Sequence, residues 1–297
     1  MGKLSREQGI YRVTLIGGIV NFLLLIFKFL AGFLGHSAAM VADAVHSLSD
    51  FVTDVIVIVF VRISSKPADN THGYGHGKFE TLASAIIGCA LLGVGVGIFV
   101  GGVRSIVGVF HGEELPAPSM VALIAAAVSI VLKEALYQYT VFKAKNLDSQ
   151  AVVANAWHHR SDAFSSIGTL LGIGGAILGG EKWRVLDPVA AVVVSLFIAK
   201  AAVSILKTSL DELLEHSLPE EVEREIEQII LSVEGVSSPH HLRTRRIGNN
   251  YAIEVHIRMN GGLSLLEAHR VTTIVESLIK QRYGELTIVT IHTEPIK

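Results

Sequence analysis

Asp43, His46, Asp50 and Asp54 are spaced three, four and four apart in the stretch VADAVHSLSDFVTD (41–54). At 3.6 residues per helical turn that spacing places all four side chains on one stripe. The surrounding segment, from about Ser37 to Val61, is otherwise almost entirely apolar or small and long enough to cross a bilayer. Ionisable groups in a spanning helix cost several kcal/mol each unless they are paired, ligated or facing water. A second apolar segment repeats the arrangement, with His158 and Asp162 four apart in AWHHRSDAF. Two helices that each offer His-x-x-x-Asp supply two imidazoles and two carboxylates, a donor set suited to a tetrahedral divalent ion such as Zn²⁺. His159 lies about 100° round the helix from His158 and is left out of this set. A matched pair of such motifs favours a metal site over two isolated, hydrogen-bonded structural groups.

The elements that must hold these residues follow from the apolar runs. Segments at about Ile10–Phe33, Ser37–Val61, Leu82–Phe110, Met120–Val141, Ala151–Leu178 and Leu186–Leu206 make six spans in a chain of 297 residues, 50% hydrophobic and 18% charged. That balance describes a polytopic membrane protein. A formal net charge of −2 argues against nucleic acid as a partner, and the single cysteine, Cys89, excludes a disulfide framework and a Cys-based zinc site. The polar stretch Met1–Gln8 lacks a cleavable signal pattern, so the first span is expected to remain as an anchor. Lys3, Arg6, Arg12, Arg62, Lys66, Lys78, Lys143, Lys145 and Lys207 flank the ends on one side. The opposite loops carry Lys182 and Arg184, offset by Glu113, Glu114 and Glu181. The positive-inside rule puts both termini in the cytoplasm of a cell (inner or plasma) membrane protein. The third and fifth spans are rich in glycine, which permits close helix packing and sliding.

Two further groups of donors lie outside the spans. The loop SSKPADNTHGYGHGKFE carries Asp69, His72 and His76 at spacings of three and four, with Gly73, Gly75 and Gly77 allowing a tight path. One carboxylate and two imidazoles there form a second candidate metal site. After Leu206 the composition shifts: Pro219 and acidic residues open an amphipathic helix ending near Gly235, followed by strands at His241–Ile247 and Tyr251–Met259, a helix at Ser264–Tyr283 and a strand at Thr287–His292. This α-β-β-α-β order describes a small α+β domain, giving a division into 1–209 and 210–297. Its histidines cluster near the strands, and His292 and Glu294, two apart on a strand, can chelate together.

ADAVHSLSD, PADNTHGYGHGKFE, ANAWHHRSDA, HHLRTRRIG and the closing IHTEP together resemble the cation diffusion facilitator family over essentially the whole chain. The resemblance implies six transmembrane helices with a cytoplasmic metallochaperone-like domain, assembled as a homodimer that exports divalent metal in exchange for protons. It maps the transport site onto His46, Asp50, His158 and Asp162, and the loop site onto Asp69, His72 and His76; Asp43 and Asp54, a turn above and below on the same stripe, are expected to line the path. In the cytoplasmic domain it implies His240, His256, His269, His292 and Glu294 as ligands. Glu294 stands where better-known bacterial members have Asp, and His241 replaces another acidic residue; both departures bear on how many metals the domain takes. An interlock is implied between Lys78 and Glu215, with Asp211 as the alternative partner. The paired His-x-x-x-Asp motifs look like zinc-selective members, while the flanking residues look like a branch linked to iron. Zn²⁺ is therefore the expected substrate and regulatory ion, with Fe²⁺ next and Cd²⁺ or Co²⁺ as further passengers. A membrane metallohydrolase or a non-transporting metal sensor is the alternative; no HExxH pattern is present, and Glu134 is the only mid-span glutamate.

Overall fold

The computed structural model describes residues 3–64, 66, 68–147, 150–248 and 250–296, with the side chains of 3–11, 53–64, 144–147, 150–155 and 158 outside the description. Six long helices come first: α1 (Lys3–Leu34), α2 (Ala38–Ser64), α3 (Lys78–Phe110), α4 (Met120–Leu147), α5 (Gln150–Leu178) and α6 (Leu186–Leu213). Among the described residues, stretches of α1, α3, α4, α5 and the segment ending in α6 are long and apolar enough to cross a membrane. With α2 as a sixth long helix carrying the acidic stripe, the chain is a multi-pass helical membrane protein with a C-terminal α+β domain. Several helices outrun the expected apolar segments: α1 starts at Lys3, α4 runs to Leu147, and α6 continues past Leu206 to Leu213, where no Pro or Gly interrupts it.

One compact unit comprises Met1–Val55 and Ile87–Ser204. Its packing relies on small residues: Ala39, Ala122, Ala125 and Ala126 are fully buried together, around the larger Met40 and Ile173. At Gly172 a methyl group would come within 2.4 Å of the Ala190 Cβ, so α5 and α6 meet closely there, and any side chain would push them apart. Asp187, on α6, accepts from the Ser37 hydroxyl at 2.5 Å and the Ala38 N–H at 2.7 Å. It thereby satisfies an orphan donor at the start of α2 and fixes the height of the acidic stripe.

The other unit comprises Ile56–Ile86 and Ile205–Lys297. Here α7 (Glu220–Leu231), β1 (Ser237–Ile247), β2 (Asn250–Met259), α8 (Leu265–Tyr283) and β3 (Ile288–Pro295) follow the expected α-β-β-α-β order. The sheet order is β1-β2-β3, with β1 antiparallel and β3 parallel to β2. Ile226 and Ile230 of α7, Val275 and Ile279 of α8, and Ile253, Val255 and Ile257 of β2 are buried in one core. Each such side chain contributes roughly 1.5–3 kcal/mol by leaving water. Ser264 and Glu267 close a capping box that starts α8.

Candidate metal centres

The paired motifs lie on α2 and α5. Ligand atoms of His46, Asp50 and Asp162 all fall within 4.8 Å of one another, a separation that one ion can bridge. The side chains of His158 and Asp54 lie outside the described residues. The three placed ligands line a cavity of about 1040 Å³ whose remaining wall is largely apolar, including Leu171, Val193 and Phe197, with Lys200 also on it. Among the described residues His46 Nδ1 is buried with no hydrogen-bond partner, as expected of an imidazole nitrogen reserved for a ligand.

Asp43 is placed differently from its expected pathway position. It does not line the cavity; it pairs with Lys28 of α1 at 2.8 Å, and both side chains are 1% exposed. Lys28 also donates to Ser47 Oγ at 3.0 Å and Ser166 Oγ at 3.3 Å, while the Ser166 hydroxyl donates to Asp43 at 3.1 Å. The physical reason is charge compensation: a buried carboxylate one turn from the metal ligands takes a cation from a neighbouring helix. A second buried cation, Lys133 of α4, donates to Asp162 Oδ2 at 2.6 Å. The spacing argument missed both lysines; their signal is a lysine in the middle of an apolar span.

In the loop, Asp69, His72 and His76 also bring ligand atoms within 4.8 Å. Asp69 Oδ1 accepts from the Thr71 hydroxyl at 2.7 Å and from the backbone N–H groups of Thr71 and His72, both at 2.8 Å, an Asx turn that folds the loop on itself. These bonds, the Thr71 hydroxyl first, hold the Asp69 carboxyl well below the usual carboxylate range. Its other oxygen lies 3.4 Å from His76 Nε2. Gly75, at φ 79°, supplies the left-handed turn between the two histidines.

The C-terminal domain gathers a third group on its sheet. His256 of β2 lies directly across from His292 of β3, and the pair forms one candidate set with Glu294. His240, His241 and His256 form another, sharing His256. Adjacent strand residues ordinarily point to opposite faces, yet both His240 and His241 reach His256. The register of β1 shifts on either side of His240, and His241 has φ 50°, so the irregularity turns both rings to one side. His241 is thus an additional candidate that the implied ligand set omitted. His269 is exposed on α8 and joins neither set within the chain. The Glu294 carboxyl is held below its ordinary range, first by the hydrogen bond with His256 and then by the nearby His240 and Arg258.

Lys78 pairs with Glu215, the partner expected ahead of Asp211. Glu215 also meets Arg245 at 3.0 Å, and Glu212 accepts from the Thr81 hydroxyl and the Gly248 N–H, both at 2.7 Å. The base of α3, the chain after α6 and the β1–β2 hairpin are therefore joined by a polar network larger than one ion pair.

Residues 14–214 match the family described as the cation efflux transmembrane domain, and residues 218–296 match that of the cation efflux protein cytoplasmic domain. The chain is similar to metal tolerance protein C1 of Arabidopsis thaliana, 37% identical over 97% of this chain and 63% of the plant protein's length. It is 32% identical to the manganese efflux system protein MneP of Bacillus subtilis (strain 168), covering 98% of each chain. The metal-bound C-terminal domain of the CzcD transporter from Thermotoga maritima is 30% identical over 26% of this chain and 94% of that one, with a TM-score of 0.23.

Proposed function

The chain belongs to the cation efflux, or cation diffusion facilitator, family, and on that premise we propose that it exports divalent metal ions across a membrane. The observation that carries the reading is the convergence of His46, Asp50 and Asp162 on the wall of one intramembrane cavity. His158, one turn from Asp162, completes the proposed set. Two imidazoles and two carboxylates favour Zn²⁺, with Fe²⁺ next. The likeness to a manganese efflux protein supports Mn²⁺ as a second reading, although an oxygen-only set would suit that ion better. The family consists of transporters, so the metallohydrolase alternative is set aside.

Transport proceeds by alternating access coupled to protons. A neutral imidazole ligates metal and a protonated one does not, so acid on the outer side displaces the ion from His46 and His158. The cytoplasmic-domain histidines and the loop site bind regulatory metal in a homodimer, and the Lys78–Glu215 network passes the change to the spans. Both termini face the cytoplasm, following the positive-inside bias, and the membrane proposed is the plasma membrane. Proteoliposomes containing the purified chain, a metal indicator and a pH indicator test this reading. Metal uptake with opposite proton movement supports it; metal movement without proton movement removes the antiport, and neither movement removes the transporter.

A further inference from the structure

The ion pair between Lys133 and Asp162 stands at the proposed transport site, where Asp162 belongs to the ligand set and Lys133 does not. Lys133 Nζ lies 2.6 Å from Asp162 Oδ2, and the two side chains are 4% and 7% exposed. Asp162 lines the cavity and Lys133 does not, so the ammonium reaches the carboxylate from the α4 side while the cavity reaches it from another. Counted as ionised groups, Asp50 and Asp162 bring two negative charges to the empty site and Lys133 one positive. A divalent ion reverses the sign of that balance, and a carboxylate oxygen held by an ammonium is a poorer metal ligand.

We propose that Lys133 is a tethered cation that holds Asp162 while the transport site is empty and yields the carboxylate to the incoming divalent ion, so that it limits the affinity of the site. Without such a cation an emptied site would leave the carboxylate charge less compensated inside the membrane, which is costly and would resist metal release. Lys133 substitutes for the departing ion on the α4 side, and its repulsion of the bound ion keeps binding weak enough for turnover. It is a positioning residue: it acts through Asp162 and does not ligate the metal. A purely structural ion pair makes the opposite forecast, since its loss would disorder Asp162 and weaken binding. The inference rests on the proposed transport site, and the two can fail separately.

The test is calorimetric titration of the full purified chain with Zn²⁺ alone, for the parent and for Lys133→Met, Lys133→Arg and Asp162→Asn, together with transport rates. Asp162→Asn should lose one Zn²⁺; unchanged stoichiometry would remove the transport-site assignment itself. Given that loss, Lys133→Met should bind this Zn²⁺ about tenfold or more tighter, by removal of a neighbouring like charge. Its half-saturating metal concentration and its maximal rate should fall together. Lys133→Arg keeps the charge but grips a carboxylate through two parallel donors, so it should bind Zn²⁺ more weakly than the parent. Affinity unchanged or weakened in folded Lys133→Met overturns the proposal. Should that variant not fold, the arginine variant decides, and an affinity equal to or above the parent's overturns it.

Discussion

Lys28 on α1 and Asp43 on α2 form a buried ion pair at 2.8 Å, with Ser47 and Ser166 completing its hydrogen bonds. Removing one partner leaves a charge in a membrane interior, so Lys28→Met should cost about 3–5 kcal/mol. The double change Lys28→Met with Asp43→Asn should recover most of the loss, because no uncompensated charge remains. Thermal unfolding in detergent measures both. Equal stability of the single and double variants would show that charge compensation is not what holds the pair.

Lys78 and Arg245 both contact Glu215, so reversing the acid meets two cations and reversing Lys78 meets one anion. Exposed pairs are worth only about 0–1 kcal/mol, and the effect should appear in transport more than in folding. Glu215→Lys should impair transport more than Lys78→Glu. The double reversal should restore only part, since Arg245 then faces a lysine. Transport assays with a dimer measurement by light scattering check this. Full restoration would place Arg245 outside the network, and rescue by Asp211 reversal would name Asp211 as the partner.

His256 belongs to both candidate sets on the sheet, whereas His241 and His292 belong to one each. His256→Ala should therefore weaken metal binding by the cytoplasmic domain by more than the roughly 10–100-fold typical of outer-shell losses, and by more than either neighbour does. His269→Ala should leave binding within one chain unchanged. Competition titrations on the full chain carrying Asp162→Ala together with Asp69→Ala and His76→Ala isolate these sites. A larger effect at His269 than at His256 would mean that α8 supplies the ligand, in the dimer or otherwise.

The Asp69 carboxyl is depressed by the Thr71 hydroxyl and two backbone N–H groups. A depressed carboxylate stabilises the loop above its ordinary value near 3.8 and loses that contribution only as pH falls towards the lower folded value. Between about pH 5 and 7 Asp69 thus stays charged. Asp69→Asn should lower loop affinity by the same factor at both ends of the window. A factor that grows with pH would place the Asp69 titration inside it.

Local spacing made the candidate metal stripes legible, because His46 and Asp50 sit one helical turn apart on α2, as His158 and Asp162 do on α5. Asp69, His72 and His76 were legible in the same way, within one short loop. Partners from other helices left no such trace: nothing local to Lys28 or Lys133 says which carboxylate it will meet. That pairing turned Asp43 away from the cavity. His241 was visible among the clustered histidines but stood outside the implied ligand set, since strict alternation sends it to the face opposite His240 and only the irregularity in β1 brings it back. The three strands and two helices of the domain were legible from strand alternation and from the Pro219 and acidic helix start, all of them local.

The central claim is that metal crosses the membrane through the site formed by His46, Asp50 and Asp162. The most direct measurement is Zn²⁺ uptake into proteoliposomes by the Asp162→Ala variant, with its fold checked by thermal unfolding and its cytoplasmic-domain binding by titration. The account predicts a folded protein that still binds metal at the cytoplasmic domain and transports none. Uptake at the parent rate by folded Asp162→Ala would contradict it.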